Sequence, residues 1–416
     1  MTYAESVSYL LSVGQELRGI KFDLANVSRL LEEFGHPERA WRSVHIAGTN
    51  GKGSVAAMLE AALRAAGYRT GLYTSPHLVR VSERIRVAGE EIREAEFTAI
   101  SRDLRAAIER LLASHALPGH PSFFECLTTI AFEHFRRAGC EIAVLEVGMG
   151  GRLDATNVVT PLVAIITPVD FDHEAYLGHS LEQIAFEKAG IIKQGGIVVS
   201  AAQRPEAAAV IERVAAERGA RLLWAQPYSP ERWNRGLRLA LAGRHQVDNA
   251  AAVLAAVEQL RGLRLQISAQ AVAEGLATVR WPGRLEWIGG RPPLLLDGAH
   301  NPAGARALRA YLEDALAGRR LVLLFAAMRD KAVGEMAELL FPQASAVVLT
   351  SPHQKRAASA RALAELTRHL NPCVREQEEP REGLGEARRL AGPHGVVVVT
   401  GSLYLVGEIK QLLGSM

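Results

Sequence analysis

The residues most able to do chemistry begin at Gly48-Thr49-Asn50-Gly51-Lys52-Gly53-Ser54. Glycines in such a run permit backbone conformations closed to other residues. Successive N–H groups then converge on one anion, and a following helix adds the positive end of its dipole. A lysine and a serine in that loop suit a nucleoside triphosphate. Lys52 can reach the terminal phosphates, and Ser54 can stand beside a Mg²⁺ ion. The spacing departs from the common GxxxxGK[ST] loop: the run before the lysine is shorter, and Gly53 separates Lys52 from Ser54. The plain alternative is an ordinary glycine-rich turn. A β-branched "SVHIAG" before it and an alanine-rich "GSVAAMLEAALRAAG" after it favour the nucleotide.

Further candidates lie downstream. Glu146 closes the apolar run "IAVLEVG". A carboxylate at a strand end, in a chain that also holds a phosphate loop, is a natural Mg²⁺ ligand; a solvated strand-end glutamate is the alternative. His173 follows "LVAIITPVDFD", but Mg²⁺ prefers oxygen, so on chemistry alone His173 reads as a hydrogen-bonding histidine. Asp170 and Asp172 offer oxygen ligands nearby. Lys188, in "IAFEKAGIIK", reads by itself as a surface helix lysine.

These residues need a scaffold that presents strand ends together. "SVHIAG", the alanine-rich helix and "YRTGLYTS" form a strand–helix–strand unit, which predicts a parallel sheet. "EIAVLEVG", "PLVAIIT" and "GGIVVSA" read as further buried strands, and "FECLTTIAFEHFRRAG" as a helix. "ESVSYLLSV" and "LANVSRLLEEFG" carry helical spacing ahead of the first strand. The Gly- and Pro-containing "WPGRLEWIGGRPP" reads as a linker. After it, "LLLDGAH", "RLVLLFAA", "AVVLTS" and "GVVVVTGS" alternate with helices such as "AGARALRAYLEDALAG". The expected fold is α/β in two domains. Residues 1–289 form a P-loop-type, mostly parallel sheet flanked by helices, and residues 290–416 a smaller Rossmann-like domain.

Composition narrows the function classes. The chain has 416 residues, 48% of them hydrophobic and 22% charged, which suits a soluble two-domain protein with substantial cores. A net charge of +3 argues against nucleic acid as the main partner. Cys126, Cys140 and Cys373 form no CxxC pair and no disulfide framework, which fits a reducing compartment. The N-terminal segment lacks the pattern of a signal peptide, and no apolar run is long enough to cross a bilayer. These features lead us to expect a cytoplasmic protein.

"AGTNGKGS" resembles the ATP loop of the Mur ligase superfamily, in its folate branch, the folylpolyglutamate and dihydrofolate synthases. "YTSPHLVRVSERIRV", "LEVGMGGRLDATNVV", "DFDHEAYLG…EKAGIIK" and "LLLDGAHNP" resemble further stretches of that branch, in the same order. The likeness runs from the N-terminal helices to "TGSLYLVGE". It implies ATP and Mg²⁺ as cofactors, an ATP-binding domain carrying folate loops over 1–289, and a glutamate-ligase domain over 290–416. It implies Ser75, Glu146 and His173 as metal ligands and Lys188 as a carbamylated lysine, with Lys52 completing the catalytic group. ATP contacts are implied at Asn50, Gly51, Lys52, Gly53, Ser54, Asn249, Arg284 and Asp297. Ser122, Phe123, Phe124 and Glu125, with Leu153, Asp154 and Ala155, match stretches lining the pterin pocket. The two phenylalanines suit either ring stacking or the core. His300 and Ser402 match positions near the incoming glutamate. The family further suggests a monomer acting on small molecules, without nucleic acid or membrane.

The implied reaction is ATP-dependent amide ligation, in which a folate carboxylate takes the γ-phosphoryl group and the amine of L-glutamate displaces phosphate. Dihydropteroate is a second acceptor to consider. One alternative is a cell-wall Mur ligase, but such enzymes usually carry an added N-terminal domain, and here only a helical lead precedes the ATP loop. A P-loop switch protein is another; it would be expected to show the standard loop and no second domain with "DGAHNP".

Overall fold

A computed structural model of the protein describes residues 1–13, 23–117, 119–226 and 237–414. Its chain divides into two compact units, Met1–Ala240 with Asp248–Val279, and Leu241–Val247 with Arg280–Met416. Among the described residues each unit is built on one sheet.

The strands of the first unit are β1 (Arg42–Ala47), β2 (Thr70–Tyr73), β3 (Ile85–Val87), β4 (Glu90–Glu91), β5 (Ile142–Glu146), β6 (Val163–Ile166), β7 (Ile197–Ser200) and β8 (Arg221–Trp224). They lie in the order β4-β3-β2-β5-β1-β6-β7-β8. All pairings are parallel except those of β3 with β2 and with β4. Strands β2, β5 and β6 are buried along their whole length, as expected of a parallel sheet covered on both faces. Helices Glu94–Ala113 and Phe123–Arg137 share one apolar cluster with Tyr73, Ala143 and Leu145. Helices Leu181–Ala189 and Pro205–Glu217 share another with Ala164, Ile166 and Val198. Each fully buried large side chain in these clusters contributes roughly 1.5–3 kcal/mol of transfer free energy.

The strand order carries the functional consequence. It sets β2, β5, β1 and β6 side by side and parallel, so their carboxyl ends share one edge of the sheet. Ligands of open α/β sheets bind at that edge, where the connections diverge.

The alanine content of helix Lys52–Ala65 has a steric reason. The helix packs on Ala269–Thr278, where a Cβ added to Gly275 would lie 2.4 Å from the Ala62 nitrogen. Larger residues at this crossing would force the helices apart.

The strands of the second unit are β9 (Glu286–Ile288), β10 (Leu294–Leu296), β11 (Leu321–Phe325), β12 (Ala346–Leu349), β13 (Val374–Glu376) and β14 (Val396–Thr400). Their order is β13-β12-β11-β14-β10-β9, parallel except for β9 against β10. The stretch "WPGRLEWIGGRPP" is therefore not a bare linker. It contains β9, whose Trp287 faces Leu295 across the antiparallel pair, and this unit resumes at Arg280, ahead of that stretch.

Candidate active site

The glycine loop leaves β1 at Ala47 and enters helix Lys52–Ala65. Gly51, the residue before the helix, has φ +88°, a left-handed conformation that favours glycine. A Cβ there would stand 2.3 Å from Asn249 Oδ1, so the loop and the buried Asn249 lie in direct contact. Lys52 folds back and donates from Nζ to the Thr49 carbonyl at 3.1 Å. Ser54 is buried in the first helical turn.

Two neighbours clasp this loop. Backbone N–H groups of Thr49 and Asn50 both donate to the Pro168 carbonyl. The Thr49 hydroxyl donates to the Asp170 carbonyl at 2.9 Å and accepts from the Asp170 nitrogen at 3.0 Å. Thr49 thus ties the loop to the segment that leads to His173. His173 has φ +53° and precedes the short helix Glu174–Leu177. Its backbone N–H donates to Asp172 Oδ1 at 2.9 Å.

Glu146 ends β5 and is only 5% exposed. The Ser75 backbone N–H donates to its Oε2 at 3.1 Å. The end of β5 and the loop after β2 are thereby joined. Among the described residues no three His, Cys, Asp or Glu side chains form a metal-holding group.

Lys188 belongs to the interior. It is 4% exposed, in the last turn of helix Leu181–Ala189, and its Nζ donates to the Gly48 carbonyl at 2.9 Å. Burial, helped by the charge of Lys52, pulls its pKa from the ordinary lysine range down to about 7, against the opposing pull of Asp172 and Asp154. The surface-lysine reading is therefore overturned: a helix pattern of nine residues cannot say which face meets a glycine loop.

The residues matched to the pterin pocket separate into two kinds. Ser122 and Glu125 form a reciprocal capping box, with Ser122 N donating to Glu125 Oε2 at 2.7 Å and Glu125 N to Ser122 Oγ at 3.3 Å. Phe123 is 1% exposed, sits in the apolar cluster and has the Arg84 guanidinium 5.4 Å from its ring centroid. Its position corrects the stacking reading for that residue. Phe124 is only partly buried at the margin of the same cluster: a Cβ on Gly148 would lie 2.6 Å from its ring, and the Tyr73 centroid is 5.8 Å distant.

In the loop after β5, Asp154 accepts from Met149 N at 2.9 Å, Thr156 N at 3.0 Å and the Thr156 hydroxyl at 2.5 Å. Burial raises the pKa of its carboxyl while these bonds oppose the rise. Asp154 thus organises its own loop, with Leu153 and Ala155 on either side of it.

In the second unit, Asp297 follows β10 and accepts from Leu285 N and Ala299 N, each at 3.0 Å. Arg284 packs where a Cβ on Gly298 would fall, 2.6 Å from its Nη1. The ring of His300 meets the Gly298 carbonyl through Nδ1 at 2.8 Å, so Nδ1 carries the proton. Ser402, after β14, is buried, and its Oγ accepts from Tyr404 N at 3.2 Å. Because β14 runs parallel to β10 and β9 antiparallel to it, all four lie at one edge of this sheet.

Comparison with known proteins is consistent along the chain. Residues 98–257 match the Mur ligase middle domain, and residues 283–403 the Mur ligase glutamate ligase domain. The dihydrofolate synthase/folylpolyglutamate synthase of Bacillus subtilis is 35% identical, over 95% of this chain and 96% of the relative. The folylpolyglutamate synthase of Mycobacterium tuberculosis complexed with ADP superposes with a TM-score of 0.91 at 34% identity, covering 99% of this chain and 98% of that one. An Escherichia coli structure in complex with DHPP and ADP gives 0.88 at 30% identity, covering 100% and 98%.

Proposed function

Because the chain belongs to the Mur ligase family, in its folylpolyglutamate and dihydrofolate synthase branch, we propose that it uses ATP to join L-glutamate to the carboxylate of a reduced folate, and accepts dihydropteroate as well. It is an ATP-dependent acid–amino-acid ligase. The observation that carries this reading is the shared edge of β2, β5, β1 and β6. That edge gathers a phosphate loop, a buried carboxylate and a buried low-pKa lysine in one unit.

Each residue has a task in the proposal. Gly51, Gly53 and Ser54 hold the phosphates through the loop backbone and the helix N-terminus, Lys52 neutralises the terminal phosphate, and Asn50 and Asn249 border the nucleotide. Ser75, Glu146 and His173 would hold the Mg²⁺, which neutralises phosphate charge during transfer. Neutral Lys188 takes up CO₂ as a carbamate: the nitrogen lone pair bonds to carbon, one C=O electron pair moves onto oxygen, and the nitrogen then releases a proton. The neutral amine thereby becomes an anion able to face a metal.

The folate carboxylate attacks the γ-phosphorus of ATP, giving an acyl phosphate and ADP. The neutral amine of glutamate then attacks the acyl carbon, the bond from that carbon to the phosphate oxygen breaks, and the nitrogen loses a proton as phosphate leaves. No protein nucleophile is needed; positioning and charge neutralisation supply the rate. Phe124, Leu153 and Ala155 receive the pterin end, while Arg284, Asp297, His300 and Ser402 serve ATP and the incoming glutamate. On this reading residues 1–289 carry ATP and folate chemistry, and residues 290–416 the glutamate.

We place the enzyme in the cytoplasm as a monomer that needs neither membrane nor nucleic acid. Its three cysteines are free thiols, and among the described residues no helix is long and apolar enough to cross a membrane. Product mass spectrometry with dihydropteroate and with tetrahydrofolate as acceptor tests the reading. A mass gain of one glutamyl residue on each is expected. No gain on either would overturn it.

A further inference from the structure

His45 is an anomaly in β1. Val44 and Ile46 beside it are fully buried apolar residues, and the His45 ring is 0% exposed between them. A valine there would fit the same parallel sheet without a polar atom to satisfy. Among the described residues the imidazole has one hydrogen-bond partner: Nε2 stands 2.8 Å from Thr156 Oγ1, across 111 residues of sequence. Its Nδ1 has no hydrogen-bond partner among the described residues. Burial, with Lys193 adding to it, pushes the ring's pKa down to about 3, so it is neutral and carries one N–H.

The direction of the chain of hydrogen bonds follows from the far end. Both oxygens of Asp154 accept backbone N–H groups, from Met149 and from Thr156. The Thr156 hydroxyl therefore donates to Asp154, at 2.5 Å, and offers its lone pair to the ring. His45 must then donate from Nε2. The orphaned Nδ1 is a cost with no return inside the strand, and the useful nitrogen is the one that reaches Thr156.

We infer that His45 is a positioning residue for the acceptor. Through Thr156 it fixes Asp154, and with it Leu153 and Ala155, in the loop arrangement that receives the pterin end. The inference rests on the reading of residues 153–155 as acceptor contacts. It also links two substrates mechanically, because the strand that ends in the ATP loop holds the loop that receives the folate.

The test compares full-length Thr156→Val, Thr156→Ser and His45→Leu with the wild type, reading KM for dihydropteroate and tetrahydrofolate, KM for ATP, kcat and the melting temperature. Thr156→Val is nearly isosteric and removes both hydrogen bonds; Thr156→Ser keeps them. Thr156→Val and His45→Leu are expected to raise both acceptor KM values roughly tenfold. KM for ATP and kcat at saturating acceptor should stay within about twofold, and Thr156→Ser should restore the acceptor KM. Should His45→Leu fail to fold, the two threonine variants carry the test. Wild-type acceptor KM in Thr156→Val overturns the relay, as does an equal loss for ATP and acceptor. Ala155→Leu checks the underlying reading: unchanged acceptor KM there overturns the loop as an acceptor site and the relay with it. Weakened binding there beside a normal Thr156→Val overturns the relay alone.

Discussion

Lys188 Nζ donates to the Gly48 carbonyl across 2.9 Å, from a buried helix turn to the first glycine of the phosphate loop. One bond thus joins a lysine with a pKa of about 7 to the loop proposed to hold ATP. Between about 7 and the ordinary lysine value near 10.4, the unfolded chain binds a proton that the folded chain does not. Stability contributed by this site therefore rises with pH through that window, by up to about 1.4 kcal/mol per unit. In urea unfolding at about pH 7 and about pH 9, the wild type should gain more stability than Lys188→Met. Equal gains would contradict the buried, depressed lysine.

Carbamylation at the same residue has its own readout. Native mass spectrometry in bicarbonate buffer should show a mass gain of one CO₂, lost on denaturation and missing from Lys188→Met. Turnover of that variant should fall by about 10²-fold or more, as for removal of a preorganised transition-state charge. Wild-type turnover would remove Lys188 from the mechanism.

Lys52→Ala should reduce turnover by about 10²–10³-fold. Its half-exposed side chain makes one bond to its own loop, so stability should move by no more than about 0.5 kcal/mol. Retained ligase activity would sink the role given to Lys52.

Gly51→Ala probes the loop without touching a charge. Its φ of +88° and the 2.3 Å approach to Asn249 Oδ1 leave no room for a methyl group. The left-handed conformation alone costs about 1–2 kcal/mol, enough to weaken ATP about tenfold if the loop must shift. Calorimetric titration with ATP measures it, and wild-type affinity would show that the loop does not meet the nucleotide.

Phe123 and Phe124 are neighbours with opposite expected phenotypes. Phe123→Ala should lose about 3–5 kcal/mol of stability. Phe124→Ala should mainly raise the acceptor KM, by up to roughly tenfold for a lost ring contact. Chemical denaturation and steady-state kinetics separate them; the reverse pattern would exchange the two roles.

Much of the scaffold is legible in the sequence because parallel strands buried on both faces are continuous apolar runs. "IAVLE", "VAII" and "VVVVT" stand out for that reason. β9 does not: its three residues lie between glycines and prolines that read as linker. The β3–β4 hairpin carries Arg86, Glu90 and Glu91, which mask it as a polar loop. Ser122 and Glu125 do carry a local signal, the S-x-x-E capping box, which accounts for their hydrogen bonds more directly than a ligand does. Burial of Lys188, the Thr49 clasp and the His45–Thr156 bond were not readable, because each depends on a partner more than 100 residues away. Periodicity reports which face is apolar, not which loop will meet it.

The central claim is that ATP is consumed to activate a carboxylate for glutamate. Its most direct measurement is ATP hydrolysis with and without reduced folate and L-glutamate, each alone and both together. Phosphate release that requires both, in step with a glutamylated product, is the predicted result. Hydrolysis that proceeds unchanged without either substrate would contradict it and mark the loop as that of a nucleotide switch.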